Sequence, residues 1–394
     1  MASPRDGIVM VAYTHYPWDP RVRREAEALV GRGHRVAVVC AREPGQAPEE
    51  VVNGVSVYRV PLQIRRGGKL RYLYQYVVFF LLATAGLRRF NPAALHVHSV
   101  PDFLVYVGIP QKARGVPLTL DLHEALPEMV RARFPSSRIA WRLAEVAERV
   151  SCRFADRVIV VNETIRELLA ARGVPISTMT VLFNAPDVSA TAKPADSPVP
   201  TGALRLVYAG SVDRERDLET LVRSVAQLRA TLPTALVIYG REDPEYRVSL
   251  ERLVDSLSLR AYVRFGGVLP AERVLSHLIH ADVGVVTYAR NPLTEVALPN
   301  KVFEYVVLDK PLVLPDLRAM RRAFEGAAWF YQPGDANDLA AKIRLAAAGG
   351  PEAAERRGRA RSAYSRARWE VQAMRLAALY ETTPSPERRA VACT

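Results

Sequence analysis

Short apolar runs alternate along the chain with longer stretches whose apolar positions recur three and four residues apart, the periods of buried strands and amphipathic helices. The first such unit predicts a strand at 8–12, a loop through Trp18, a helix from Pro20 and a strand at 35–39. Asp19 can cap that helix with Pro20 in its first position, Val22, Ala26, Leu29 and Val30 form its apolar stripe, and Gly33 ends it. Strands at 94–97, 117–120 and 157–161 follow, separated by helical stretches, so the N-terminal half reads as a parallel α/β domain.

From 184 to 203 the chain is rich in Pro, Ala, Ser and Asp without either period, the pattern of a linker. The alternation then restarts, with strands at 204–208, 235–239, around Val263 and Phe265, 283–286 and 312–314. Helices are expected from Leu218, around Leu250, from Lys301, over 335–347 and over 353–379, with the final helix at 369–380. The domains expected are 1–188, a linker at 189–203, a second α/β domain at 204–361, and a C-terminal helix with tail at 362–394.

Composition narrows the partners. A chain of 394 residues with 49% hydrophobic and 24% charged residues can bury two sizeable cores. Three scattered cysteines, Cys40, Cys152 and Cys393, suit neither a disulfide framework nor a zinc knuckle, and no signal-peptide pattern opens the chain. A cytoplasmic protein is the expectation, with peripheral contact at the inner membrane face as an addition. The apolar stretch 76–87 is shorter than the roughly 20 residues needed to cross a bilayer. The net charge of +13 points to an anionic partner, and the absence of a zinc-finger or RNA-recognition signature argues against nucleic acid. Arg65, Arg66 and Lys69 precede the aromatic stretch 72–80, an arrangement that suits an anionic membrane, although a buried helix is the first reading of it.

The segment Leu298-Pro299-Asn300-Lys301-Val302-Phe303-Glu304-Tyr305, before Lys310-Pro311-Leu312-Val313, reads as loop, helix and strand. Asn300 can cap the helix, so its N-terminal N–H groups, the helix dipole and Lys301 would face a diphosphate. Glu304, on nearly the same face, could accept hydrogen bonds from ribose hydroxyls. Taken alone, the pair also fits an ordinary exposed helix face. The segment resembles the donor-binding segment of retaining family-four glycosyltransferases of the GT-B fold. That resemblance implies two Rossmann-like α/β domains with parallel sheets facing a central cleft, and a nucleotide diphosphate sugar as donor, with UDP the first expectation.

The resemblance also assigns candidates residue by residue. It gives Lys301 the diphosphate, Glu304 the ribose, and Pro299 and Asn300 places in the donor site. Relatives often carry a pair of glutamates with seven residues between them, the second matching Glu304; here the first place is Val296, with Glu295 one residue out of register. Relatives usually have Arg after the glycine of the second domain's first turn and Lys before its helix; here Gly210 is followed by Ser211, and Arg216 holds the second place, with Arg214 a substitute. Gly240 and Val268 end two further strands and match turns near the nucleotide.

In the first domain, His123 follows a strand end, where open α/β sheets bind ligands, and the resemblance implies contact with the donor sugar or phosphate. His123, Lys301 and Arg216 are therefore the catalytic candidates, and Asp19 and Arg21 the acceptor-side ones. His96 and His98 flank Val97 without an evident third metal ligand, so neither a metal nor another cofactor is expected. No glycine-rich dinucleotide fingerprint occurs. The acceptor stays open among a sugar-decorated metabolite, a lipid-linked intermediate and a polysaccharide. A non-catalytic nucleotide-sugar-binding or partner-binding protein and a sugar-nucleotide epimerase share the same scaffold.

Overall fold

The computed structural model describes residues 7–65, 67–184 and 202–381. The linker expected at 189–203 lies, apart from its last two residues, outside them, as does Cys393. The chain divides into two units, one formed by residues up to Asn184 with the helix that starts at Trp369, the other ending at Arg368.

The first unit contains β1 (Ile8–His15), α1 (Pro20–Gly31), β2 (Val36–Ala41), β3 (Glu49–Val52), β4 (Val55–Val60), α2 (Lys69–Gly86), β5 (Ala94–His98) and α3 (Ile109–Lys112). It continues with β6 (Leu118–Leu122), α4 (Leu126–Arg133), α5 (Arg138–Phe154), β7 (Arg157–Val160), α6 (Glu163–Ala171) and β8 (Met179–Val181). The strands form one sheet in the order β3-β4-β2-β1-β5-β6-β7-β8, parallel except for the β3–β4 pair. Helix α1 forms for the reasons its sequence gives: Asp19 accepts from the Arg21 and Val22 amides, and Val22, Ala26 and Leu29 are buried. The chain leaves it through Gly33 at φ +82°, a left-handed conformation that glycine adopts without steric cost.

The second unit contains β9 (Leu204–Ala209), α7 (Leu218–Arg229), β10 (Thr234–Tyr239), α8 (Pro244–Ser256), β11 (Val263–Gly267), α9 (Ala271–Leu278) and β12 (Gly284–Val285). Then follow α10 (Pro292–Val296), α11 (Asn300–Val307), β13 (Leu312–Pro315), α12 (Arg318–Phe324), β14 (Trp329–Tyr331), α13 (Ala336–Ala347) and α14 (Gly350–Ala367). The parallel groups β11-β10-β9 and β12-β13-β14 meet where the Asp282 amide donates to the Arg205 carbonyl at 2.9 Å. The resulting order places the first and fourth strands of the unit side by side, the switch point at which doubly wound sheets bind ligands beyond the strands' carboxyl ends.

The helical stretch expected over 353–379 divides into α14 and α15 (Trp369–Glu381), the second beginning at Trp369, where the final helix was expected. The break falls at Arg368, which is extended at φ −53° and ψ 144°, where the chain passes from one unit to the other. Helix α15 packs on α1, adding Leu376, Ala377 and Tyr380 to the first unit's core. Likewise α2 buries Gln75, Phe79 and Ala83 against its own sheet while much of its other face stays exposed, so it is neither a fully buried helix nor a free one.

At the end of β10 the Gly240 amide donates to the Gly267 carbonyl at 2.8 Å, and a Cβ at Gly240 would run into the Gly210 carbonyl. Backbone packed on backbone leaves no side chain to yield. Gly240→Ala is therefore expected to cost about 1–3 kcal/mol, the scale of overpacking, read as a lowered urea midpoint. An unchanged midpoint would show that the two turns are not held this closely.

Candidate functional site

Two cavities sit at the carboxyl ends of the sheets, one in each unit. The cavity in the second unit, about 400 Å³, lies within the roughly 300–1,000 Å³ usual for small-molecule sites. It gathers nine of the donor-site candidates read from the sequence. Gly210, Ser211 and Arg216 come from the turn after β9, and Gly240 and Val268 from the ends of β10 and β11. Pro299, Asn300, Lys301 and Glu304 come from the start of α11. The sequence reading did not assign Tyr288 and Arg241, which also line it. Their signal was positional, because each follows closely on the end of a strand already recognised.

The local geometry explains the convergence. Helix α11 begins at Asn300 with Pro299 in the cap position and no side-chain cap, so Asn300 is its first residue and not its cap as expected. The helix start faces the cavity without a competing side-chain acceptor, the situation that favours a bound anion. Tyr305, one turn on, is buried and donates to the Val207 carbonyl at 2.6 Å, fixing the rotation of α11 against β9. That rotation carries Lys301 across the Tyr208 ring at 3.8 Å, where the ring face supplies a cation–π contact.

Lys301 keeps some exposure along its stem, but its Nζ is buried and has no hydrogen-bond partner among the described residues. Gly210 makes the room: a Cβ there would collide with Nζ. Burial first, and Arg216 second, push the Lys301 ammonium down to about 7, against the pull of Glu304. Burial in turn pushes the Glu304 carboxyl up, with Lys301 opposing. Arg216 lies over the Tyr288 ring at 4.5 Å, and its backbone carbonyl accepts from the Thr287 hydroxyl at 2.7 Å. Arg216, Arg241 and Lys301 thus line the cavity with Glu304 as its one carboxylate.

The remaining candidates stand elsewhere. Arg214 is exposed, lies 5.6 Å from the Tyr246 ring centroid and does not line the cavity. Glu295 does not line it either: its carboxylate accepts from Arg290 at 2.6 Å and from the Arg318 amide, at the start of α12, at 2.9 Å.

The first unit's cavity, about 240 Å³, is lined by Tyr13, Asp19, His98 and His123 among others. Asp19 and His123 therefore stand where expected, whereas Arg21 turns inward. It is buried and grips Asp121 with two hydrogen bonds of 2.8 Å, while a third nitrogen donates to the Leu182 carbonyl. This corrects its reading as an acceptor-side residue, because the guanidinium is consumed by a carboxylate a hundred residues away.

Around that pair the polar groups close on one another. His98 Nδ1 and His123 Nε2 are 2.9 Å apart, His96 and His98 stack at 4.3 Å, and the Tyr380 hydroxyl meets His96 Nδ1 at 2.7 Å. Burial pulls Asp121 up, but Arg21 and the imidazoles outweigh it and hold the carboxylate well below its usual range. Burial pushes Glu25 well up, helped by Asp121, and lowers both His96 and His98.

Glu25, His96, His98 and Asp121 bring their ligand atoms within 4.8 Å of one another, so the histidine pair does have carboxylate neighbours that the sequence did not reveal. Arg21 already lies 3.0 Å from Glu25 and 2.8 Å from Asp121. A divalent ion at this spot would face a guanidinium, so the donor set suits an internal ion pair better than a metal.

Residues 19–185 match the family described as Glycosyl transferase 4-like domain, and residues 203–348 match Glycosyl transferases group 1. The chain belongs to the nucleotide-sugar glycosyltransferases of the GT-B fold. A glycogen synthase of Mycobacterium tuberculosis is 26% identical to this glycosyltransferase over 383 residues, 90% of this chain and 88% of the relative. Among solved structures, sucrose-phosphate synthase from Thermosynechococcus elongatus superposes with TM-score 0.77 at 18% identity, covering 99% of this chain and all of the other. Anabaena Alr3699/HepE in complex with UDP gives TM-score 0.70 at 15% identity over 95% of this chain and 100% of that one.

Replacing Arg21 would strand Asp121 in the first unit's interior. Arg21→Met should destabilise the glycosyltransferase by about 3–5 kcal/mol, the cost of breaking a buried ion pair, measured by chemical unfolding. Full stability with weakened acceptor use would return Arg21 to the acceptor-side role.

Proposed function

We propose that this glycosyltransferase takes its sugar from a UDP-sugar, transfers it to an acceptor hydroxyl with retention of anomeric configuration, and does so without a metal ion. The observation that carries the reading is the Lys301 ammonium, buried and unpartnered among the described residues at the mouth of an uncapped helix. A diphosphate is the group that would complete it: two linked anions, one for Lys301 and the α11 N-terminus, the other for Arg216.

In this reading Gly210 and Gly240 let the phosphates approach the backbone, Ser211 and Asn300 offer hydrogen bonds, and Val268 borders the nucleotide. Glu304 accepts from the ribose hydroxyls. As the bond to the sugar breaks, negative charge grows on the departing diphosphate, and Lys301, Arg216 and the helix dipole are already in place to hold it. Fixed cations thereby do the work that a divalent ion would otherwise perform. In the first unit, His123, held by His98 and Asp121 with Asp19 lining the same cavity, is the catalytic candidate.

Support for UDP comes from Alr3699/HepE, whose structures are described with UDP and with UDP-glucose. Support for retention comes from the Pro299-Asn300-Lys301 segment and its likeness to the retaining family-four enzymes.

The test is a transfer assay with a panel of UDP-, GDP- and ADP-sugars in the presence and absence of EDTA, with the product anomer read by NMR. Transfer from a UDP-sugar, untouched by EDTA and with the donor's anomeric configuration kept, is expected. Inversion, or loss of activity to EDTA, would contradict the mechanism. Lys301→Ala should lower turnover by at least about tenfold, the effect of one charged contact worth about 1.4 kcal/mol; unchanged turnover would remove Lys301 from the chemistry.

A further inference from the structure

Helix α5 is built inside out. Its buried face carries Ala144, Glu148, Ser151 and Cys152, and Glu148 is held there by Arg172 at 2.6 Å. Arg172 also binds Glu145 and Glu128. The only two acids of the helix are therefore both engaged by Arg172. Its apolar residues face the other way: Ile139, Leu143, Val146 and Val150, spaced four, three and four apart, form a stripe along the outside. Exposed Arg138, Arg142, Arg149 and Arg153 run beside that stripe. An amphipathic helix normally buries the stripe and exposes the acids, so the inversion calls for something apolar outside.

Helix α2 shows the same face. Leu70, Leu73, Tyr74, Val77 and Leu81 line its outer side, and the helix contains no acidic residue. Both helices pack against the short 3-10 helix at 102–108, and Ile109, directly after it, is itself exposed. The nine side chains of the two stripes are between 47% and 83% exposed, so together they make one surface of the first unit that its own core does not use.

We propose that α2 and α5 form a docking surface that lies in the plane of an anionic lipid bilayer, apolar side chains among the acyl chains and arginines at the headgroup phosphates. The chemistry selects this occupant. Arginines beside an apolar stripe, with the acids turned away, complement a negatively charged interface, and the net charge of +13 adds long-range attraction. A second copy of the chain fits worse, because a two-fold contact would set one arginine-edged face against the same face of its partner. The surface is independent of the nucleotide cavity, which belongs to the other unit.

The experiment is flotation of the full chain with phosphatidylcholine vesicles, with and without phosphatidylglycerol. Binding to the mixed vesicles and little to pure phosphatidylcholine is expected. The double variants Leu143→Glu with Val146→Glu, and Leu73→Glu with Val77→Glu, should each weaken the partition at least about tenfold. UDP affinity, read on the same preparations, should stay at the wild-type value. Should an apolar variant unfold, Arg142→Glu with Arg149→Glu, which alters two exposed side chains on α5, carries the same expectation. Wild-type protein that fails to float with phosphatidylglycerol would overturn the proposal. So would variants that bind like the wild type, or a wild-type dimer that Leu143→Glu dissolves, which would assign the surface to a second copy.

Discussion

An ammonium held out of water without an acceptor is costly, and the second unit is arranged to keep one there. Lys301 cannot retreat to solvent, because its helix is fixed against β9 by Tyr305 and its head lies over the Tyr208 ring. Arg216 stands close enough to push it further toward the neutral form. The cost is recovered only when an anion enters. The glycines at 210 and 240, the uncapped start of α11 and the strand order that opens the sheet at its switch point all serve that entry. The cavity is a set of positive ends awaiting a negative ligand.

The first unit solves the opposite problem. Arg21, Asp121, Glu25, His96, His98 and Tyr380 are more deeply buried than Lys301, and Arg21 pairs with both carboxylates, while the Nε2 atoms of His96 and His98 make no hydrogen bond. Such a cluster fixes positions and does not attract a ligand. Its exposed outcome is His123, which reaches the cavity surface with its ring pinned to His98 and Asp121. Two buried polar sets thus differ: the Lys301 ammonium has no hydrogen-bond partner among the described residues, whereas the first unit's carboxylates have the Arg21 guanidinium beside them.

The residues that gather round the second unit's cavity were legible in the sequence because they occupy strand ends and a helix start, which short-range pattern and family resemblance both locate. Three things were not legible, each for a tertiary reason. Position 21 reads as the first turn of a helix, and nothing local reveals a carboxylate at 121 that will claim its guanidinium. Strand β3 is an exposed edge of polar character whose pairing with β4 supplies what its pattern lacks. In α5 the amphipathic pattern is plain in the sequence, but its direction is reversed by Arg172, which draws the acids inward.

If the Lys301 ammonium titrates near 7 in the free protein, a diphosphate that binds it must raise that pKa. Above pH 7 the free lysine is then mostly neutral, and binding must bring a proton with it. Calorimetric titration of UDP at pH 8, in buffers of different ionisation enthalpy, measures that proton directly. The account predicts uptake approaching one proton per UDP bound, abolished in Lys301→Met. Tight binding with no uptake, or equal uptake in the variant, would show that Lys301 is not the group waiting for the phosphate.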